Sequence, residues 1–189
     1  MSTIYMTTAS LDGYLADEQH SLDWLFEVPR DGDGHEEVGA FVARIGAIAM
    51  GATTYQWMLD NLGVLERPEE WRSWYGTVPT WVFTHRELPA VPGIPIRFVN
   101  GDVRRVHRKM VEVARPKDVW LMGGGEFVGA FLDAGLLDEI QISLQPVVLG
   151  GGVRLLPRRL TSARLKLQSA QRDGQVVNVT YAVGSDPHA

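Results

Sequence analysis

The chain has 189 residues, a formal net charge of −5 and no cysteine, which excludes disulfides and zinc–thiolate sites. Its apolar share of 45% is that of a folded globular protein, and the length suits one domain that needs no covalent staples. The mild negative charge argues against a broad nucleic-acid surface, which needs clustered Lys and Arg.

The N-terminal Met1-Ser2-Thr3-Ile4-Tyr5-Met6 has no basic region followed by an apolar run, and no stretch nears the ~18 apolar residues of a membrane span. A cytoplasmic protein is the expectation. Ile4–Thr8 reads as a first strand, closed by a turn at Asp12-Gly13. An acidic segment, Asp31-Gly32-Asp33-Gly34, precedes a helix whose apolar stripe is Val38, Phe41, Val42 and Ile45. Gly46 should end that helix, and Ala47–Met50 should form a buried strand. Thr80–Thr84 and Ile96–Val99 are further strands; a helix from about Val103 carries Val106, Met110 and Val113 on one face. Val119–Met122 is wholly apolar, as befits a strand covered on both sides. Beyond it, Phe127, Ala130, Phe131, Ala134 and Leu137 make another helical stripe.

Strands and helices thus alternate, which predicts an α/β fold with a largely parallel sheet flanked by helices. The C-terminal part is different. Ile140, Ile142 and Leu144 alternate with polar residues, and Leu165 through Val183 reads as a hairpin closed at Asp173-Gly174. The sheet is therefore expected to be mixed, mostly parallel, with a C-terminal antiparallel hairpin. One domain is expected over residues 1–184, followed by a polar tail at 185–189.

Six of the 20 glycines fall in two triplets, Gly123–Gly125 and Gly150–Gly152. The first follows an apolar strand and opens a helix, where backbone N–H groups and the helix dipole can meet an anion. A tight turn with no ligand is the alternative. Glu126 complicates an anion site, because its carboxylate would repel a phosphate unless it turns aside. Gly51-Ala52-Thr53-Thr54-Tyr55 has the same placement, with Thr53 or Thr54 available to cap the next helix and the other hydroxyl free. Thr84-His85-Arg86 is a third strand end, suited to gripping a phosphate or ribose, or to decorating a surface loop. In open α/β sheets ligands sit at the carboxyl ends of strands, so three such ends favour a nucleotide cofactor. The second triplet leads into no helix and reads as a bulge or a backbone crossing.

Other chemistries fail. There is no P-loop and no nucleophile elbow, and the five histidines show no metal-ligand spacing. The run Asp31–Glu37 lacks the oxygen ligand and glycine of a calcium loop and reads as an acidic helix start. No metal site is expected. Trp71, Trp74 and Tyr75 share a face, fit either to roof a heteroaromatic substrate or to pack into a core.

Taken in order, Ala9–Ala16, Gly51–Tyr55, Val82–Arg86, Gly123–Phe127 and Leu137–Gly150 resemble the dihydrofolate reductase-like superfamily. The nearest branch is similar to the C-terminal reductase domain of the bifunctional riboflavin-biosynthesis deaminase-reductase. The resemblance implies a reductase that binds NADPH, with NADH the other admissible cofactor. It implies that Gly51, Thr53 and Thr54 hold the pyrophosphate, with Gly123, Gly124, Gly125, Glu126 and Phe127 on its other side. Thr84, His85 and Arg86 would meet the adenosine end, and Ala9, Leu15 and Ala16 would bracket the nicotinamide. It also implies a cis peptide between Gly123 and Gly124.

Ala52 stands where the family often carries a basic residue for the 2′-phosphate, a role left to Arg86 helped by His85. Pro29 stands where dihydrofolate reductases place an acid past a Trp matching Trp24. The expected reaction is therefore hydride transfer to another small heterocycle, pterin-like or ribityl-pyrimidine-like, with Trp24 at the substrate. Asp12 is the candidate carboxylate for polarising substrate or relaying a proton; forming the turn before Gly13 is its other reading. A nucleotide-binding protein of the same fold without turnover is the rival expectation. Family habit and spare aromatics leave room for a homodimer.

Overall fold

A computed structural model describes residues 1–29 and 35–185, with the side chains of residues 35–37 left aside. The acidic segment 31–34 and the tail residues 186–189 lie outside the described residues. The chain divides into two compact units: Met1–Thr3 with Asp33–Gly123, and Ile4–Gly32 with Gly124–Ala189.

In the first unit, α2 (His35–Ala43) leads into β3 (Ile45–Gly51), then α3 (Ala52–Leu62) and α4 (Pro68–Tyr75). Strands β4 (Thr80–Phe83) and β5 (Ile96–Val99), α5 (Val103–Ala114) and β6 (Asp118–Met122) complete it. The strand order is β5-β4-β3-β6, all parallel. Ala47, Ile48, Ala49 and Met50 are fully buried, as are Val82, Val119 and Leu121. Continuous apolar runs become central strands because both of their faces are covered. Ile45 and Gly46 belong to β3 rather than to the helix before it: Ile45 pairs with Asp118 of β6, and the strand ladder takes the residue from the helical stripe.

Trp71 is fully buried and stacks edge-on against Tyr55 and Tyr75, at 6.2 and 5.3 Å between ring centroids. Of the two readings of this aromatic face, packing is the one its burial supports.

The second unit holds β1 (Thr3–Ser10), β2 (Tyr14–Ala16), α1 (Asp23–Phe26), α6 (Gly125–Asp133) and β7 (Glu139–Gln145). β8 (Val153–Arg154) and the hairpin β9 (Leu165–Asp173) with β10 (Val176–Val183) follow. Its main strands run β1-β7-β10-β9; β1 and β7 are parallel, the other pairs antiparallel. Short β2 and β8 pair separately. Helix α6 stops at Asp133, short of the apolar stripe that continues to Leu137. Gly135 turns at φ 69°, and Leu137 is buried from the connection that follows. Taken together, the strand pairs of the two units are mixed and mostly parallel, with the antiparallel hairpin at the C-terminal end.

Candidate functional site

The parallel register of the first unit decides which loops meet. Gly51 at the end of β3 lies opposite Phe83 of β4, and Met50 lies opposite Met122 of β6. The residues that follow these strands leave from one edge of the sheet: Thr84–Arg86 after β4, Ala52–Thr54 after β3 and Gly123 after β6. Two of these loops touch. A Cβ built on Gly123, whose φ is 122°, would collide with the Thr54 hydroxyl and come within 3.1 Å of the Thr54 Cβ. Only glycine tolerates both that dihedral and that neighbour.

Helix α3 begins at Ala52 with Gly51 as its N-cap, so neither Thr53 nor Thr54 caps it as expected; both sit inside the first turn. The cap contributes no side-chain hydrogen bond. Helix α6 begins the same way, with Gly124 as N-cap and no side-chain acceptor. First-turn amides have no acceptor within their own helix, so two helix starts present N–H groups and the positive end of a dipole without a capping side chain. The peptide between Gly123 and Gly124 is trans, which corrects the cis expectation; among the described residues the cis bond is Arg115–Pro116. The left-handed dihedral of Gly123 makes the turn instead.

Thr84 is buried, and its hydroxyl accepts from the Arg86 amide at 2.8 Å while donating to the Arg86 carbonyl at 3.2 Å. That hydroxyl builds the turn rather than offering itself to a ligand. The turn presents His85 and Arg86, both exposed, outward from the end of β4.

In the second unit, Gly125 is buried, Phe127 packs edge-on against Phe131 at 5.2 Å, and Glu126 is exposed. The Glu126 carboxylate does turn aside: its Oε2 accepts from Arg158 Nη1 at 2.9 Å. Arg158 Nε donates to Asp133 at 2.8 Å, and both carboxylates, Asp133 foremost, raise the guanidinium pKa. Arg158 thereby neutralises the one acid at the opening of α6.

Ala9 and Ala16 are buried and Leu15 half-buried, on β1 and β2. Trp24 is buried on the short helix α1, and its indole N–H has no partner among the described residues.

Asp12 is fully engaged. Its Oδ1 accepts from the Ser10 hydroxyl at 2.7 Å and the Leu149 amide at 3.1 Å; its Oδ2 accepts from the Gly150 amide at 2.7 Å. The Ser10 hydrogen bond, then the Gly150 and Leu149 amides, hold its carboxyl below the ordinary value. Beside it lies a cavity of about 320 Å³ lined by Asp12, Gly13, Tyr14, Arg154, Leu155 and Leu156. Sequence reading had no way to pair Asp12 with residues so far along the chain. The second glycine triplet held the signal, as a backbone crossing whose partner was unnamed. Among the described residues no group of His, Asp or Glu is arranged to hold a metal, and no helix is long and apolar enough to cross a membrane.

The fold recurs in solved structures. A Shewanella sp. PV-4 protein, described as a candidate riboflavin biosynthesis protein, is similar with TM-score 0.80 and 24% identity, over 98% of this chain and 100% of that one. The Thermotoga maritima diaminohydroxyphosphoribosylaminopyrimidine deaminase/5-amino-6-(5-phosphoribosylamino)uracil reductase gives 0.66 and 16%, over 96% of this chain and 56% of that longer one. Enterococcus faecalis dihydrofolate reductase, complexed with NADP(H), gives 0.63 and 11%, over 97% of each chain. These likenesses show a dihydrofolate reductase-like fold. The sequence itself matches the model of the RibD C-terminal domain across residues 64–179. With more than half of its length matched, this chain belongs to the RibD C-terminal domain family, a reductase-type group.

Proposed function

We propose that this protein is an NADPH-dependent reductase acting on a small heterocycle, pterin-like or ribityl-pyrimidine-like. The observation that carries the reading is the parallel register that sends the ends of β4, β3 and β6 to one sheet edge, two of them opening into glycine-capped helices. That arrangement suits an extended ligand with several phosphates. The names of the similar structures agree with it, one being a uracil reductase and another a complex with NADP(H).

When bound, the nicotinamide supplies a hydride to a polarised C=N or C=O, and the protein binds, orients and excludes water. Gly51, Thr53 and Thr54 at the start of α3, with Gly123 against Thr54, are assigned to the pyrophosphate. Gly124, Gly125, Glu126 and Phe127 are assigned to it as well, through the first-turn amides of α6. Arg86, helped by His85, takes the adenosine 2′-phosphate, since Ala52 offers no charge. Ala9, Leu15 and Ala16 give the nicotinamide an apolar seat. Trp24 offers its unpaired indole N–H to an acceptor on the substrate.

One observation favours a second reading, a nucleotide-binding protein of the same fold without turnover. Asp12, the acid nearest the end of β1, has both oxygens committed to the protein itself.

Fluorescence titration with NADPH and NADH tests the cofactor: sub-millimolar binding of NADPH is expected, and binding of neither would overturn both readings. NADPH consumption with pterin, deazaflavin and ribityl-pyrimidine compounds separates them. Oxidation with one of these supports the reductase, whereas tight NADPH binding without oxidation selects the binding protein.

A further inference from the structure

Asp12 sits between two loops that are far apart in sequence. On its own side, Ser10 Oγ donates to it and accepts from the Tyr14 amide at 2.9 Å. Ser10 is fully buried, so the carboxylate is anchored at the rigid end of β1. On the other side stand the amides of Leu149 and Gly150, both directed at the carboxylate. Two backbone bonds flank this grip, Leu11 N to Val147 O at 2.7 Å and Leu155 N to Gly13 O at 2.9 Å. Immediately beyond, β2 pairs with β8: Tyr14 opposite Arg154 and Ala16 opposite Val153. Gly152 crosses so close to this segment that a Cβ there would stand 2.8 Å from the Asp17 carbonyl carbon, at a φ of 124° that already favours glycine. Residues 11–16 are thus laced to residues 147–155, and the Asp12 side chain carries the lacing to the Gly150 turn.

A carboxylate that accepts three hydrogen bonds is held in its ionised form and has no proton to give. Its chemistry is that of a fastener. The segment it fastens carries Leu15 and Ala16 and continues from Ala9, the residues assigned to the nicotinamide.

We propose that Asp12 is a positioning residue: by gripping the Leu149 and Gly150 amides it sets the Leu15–Ala16 strand, and so governs binding of the nicotinamide half of the cofactor alone. The adenosine half is assigned to Gly51 to Thr54 and Thr84 to Arg86, none of which Asp12 holds. The inference rests on the NADPH reading above.

The test titrates the wild-type protein, D12N and D12A with NADPH and with 2′,5′-ADP, which lacks the nicotinamide. The Asn variant keeps the side-chain shape but places an amide where both acceptors were needed, so it should fail as the Ala variant does. Both are expected to weaken NADPH roughly tenfold, the scale of one lost hydrogen bond to a charged group, and to leave 2′,5′-ADP within about twofold. Equal weakening of both ligands would overturn the proposal, because a general loss of structure spares neither. Unchanged NADPH affinity would overturn it too. Hydrogen exchange at the Leu149 and Gly150 amides gives a readout without ligand: faster exchange in D12N shows the grip released, and unchanged exchange refutes the grip itself. If the wild-type protein binds 2′,5′-ADP but gains nothing from the nicotinamide, the positioning role fails. If it binds neither ligand, the cofactor reading fails, and exchange still reports on the grip.

Discussion

Arg158 stands beside helix α6 with its guanidinium divided between Glu126 and Asp133. Removing it leaves an unpaired carboxylate in the first turn of a helix proposed to face a phosphate, where like charges repel. Arg158→Ala should therefore weaken NADPH binding about two- to fivefold, the scale of an ion pair with an exposed carboxylate. Adding Glu126→Gln should restore most of that loss; calorimetric titration of the four proteins in a double-mutant cycle measures the coupling. Asp12 allows a prediction with a definite sign. Its folded pKa lies below the unfolded value of 3.8, so the unfolded chain holds the proton more tightly. Its contribution to stability is complete above 3.8 and is lost as the pH falls through the lower folded value. The difference in melting temperature between the wild-type protein and D12N should be constant between about pH 6 and 8 and close below about pH 4. At this scale the sequence shows residue types and their spacing but not their partners. Asp12 before Gly13 was legible as a turn former, because that chemistry is local. Its bonds to Leu149 and Gly150 leave no trace in spacing or periodicity. The Thr84 hydroxyl was likewise visible as a polar group at a strand end, and only the turn geometry shows that it is used up there.

The elements were most legible where burial is two-sided. Ala47–Met50 and Val119–Met122 had to be interior strands because no other structure tolerates such runs so near glycine turns. Boundaries were less legible. Ile45 continues the stripe of α2 yet pairs with Asp118, since a helical period and a strand period both admit an apolar residue at that point. Leu137 extends the stripe of α6 without being in it, because a buried connection needs apolar residues as much as a helix face does. β2 and β8, three and two residues long, are too short to show any period. Between elements, Tyr5 on β1 donates its phenol to the Leu155 carbonyl at 2.9 Å, joining the first strand to the segment after β8. Burial keeps that phenol in its neutral, donating form by pushing its pKa up. Tyr5→Phe leaves the ring in place and the carbonyl without its donor, and should cost about 1 kcal/mol in a denaturant titration. No change in midpoint would mean that water replaces the phenol.

Across the whole molecule, the alternation of strand and helix pointed to a parallel sheet, and the change of pattern after Leu137 pointed to an antiparallel end. Both are present. The division into two compact units was not legible, because each unit joins pieces that composition does not distinguish. The family match begins at residue 64, after β1 and β3. β3 is hydrogen-bonded to both β4 and β6, and β1 to β7. A chain starting at residue 64 would leave β4, β6 and β7 with open edges and exposed apolar faces. It should show no cooperative thermal transition by circular dichroism, whereas the intact chain should show one; a sharp transition in the fragment would mean that the first 63 residues are dispensable to the fold.

The parallel pairing of β1 with β7 bears on the order in which the molecule is assembled. Ser10 is set opposite Gln145, and the turn after it is fastened to Gly150. During synthesis β1 leaves the ribosome before β7, the strand it pairs with. At roughly 5–20 residues per second it waits on the order of ten seconds for the stretch that completes it. Such late closure of distant ends slows folding, and it leaves an apolar strand open to wrong partners meanwhile. β1 is thus made well before it is finished, and the seat proposed for the nicotinamide forms only once β7 and the Gly150 turn have followed it.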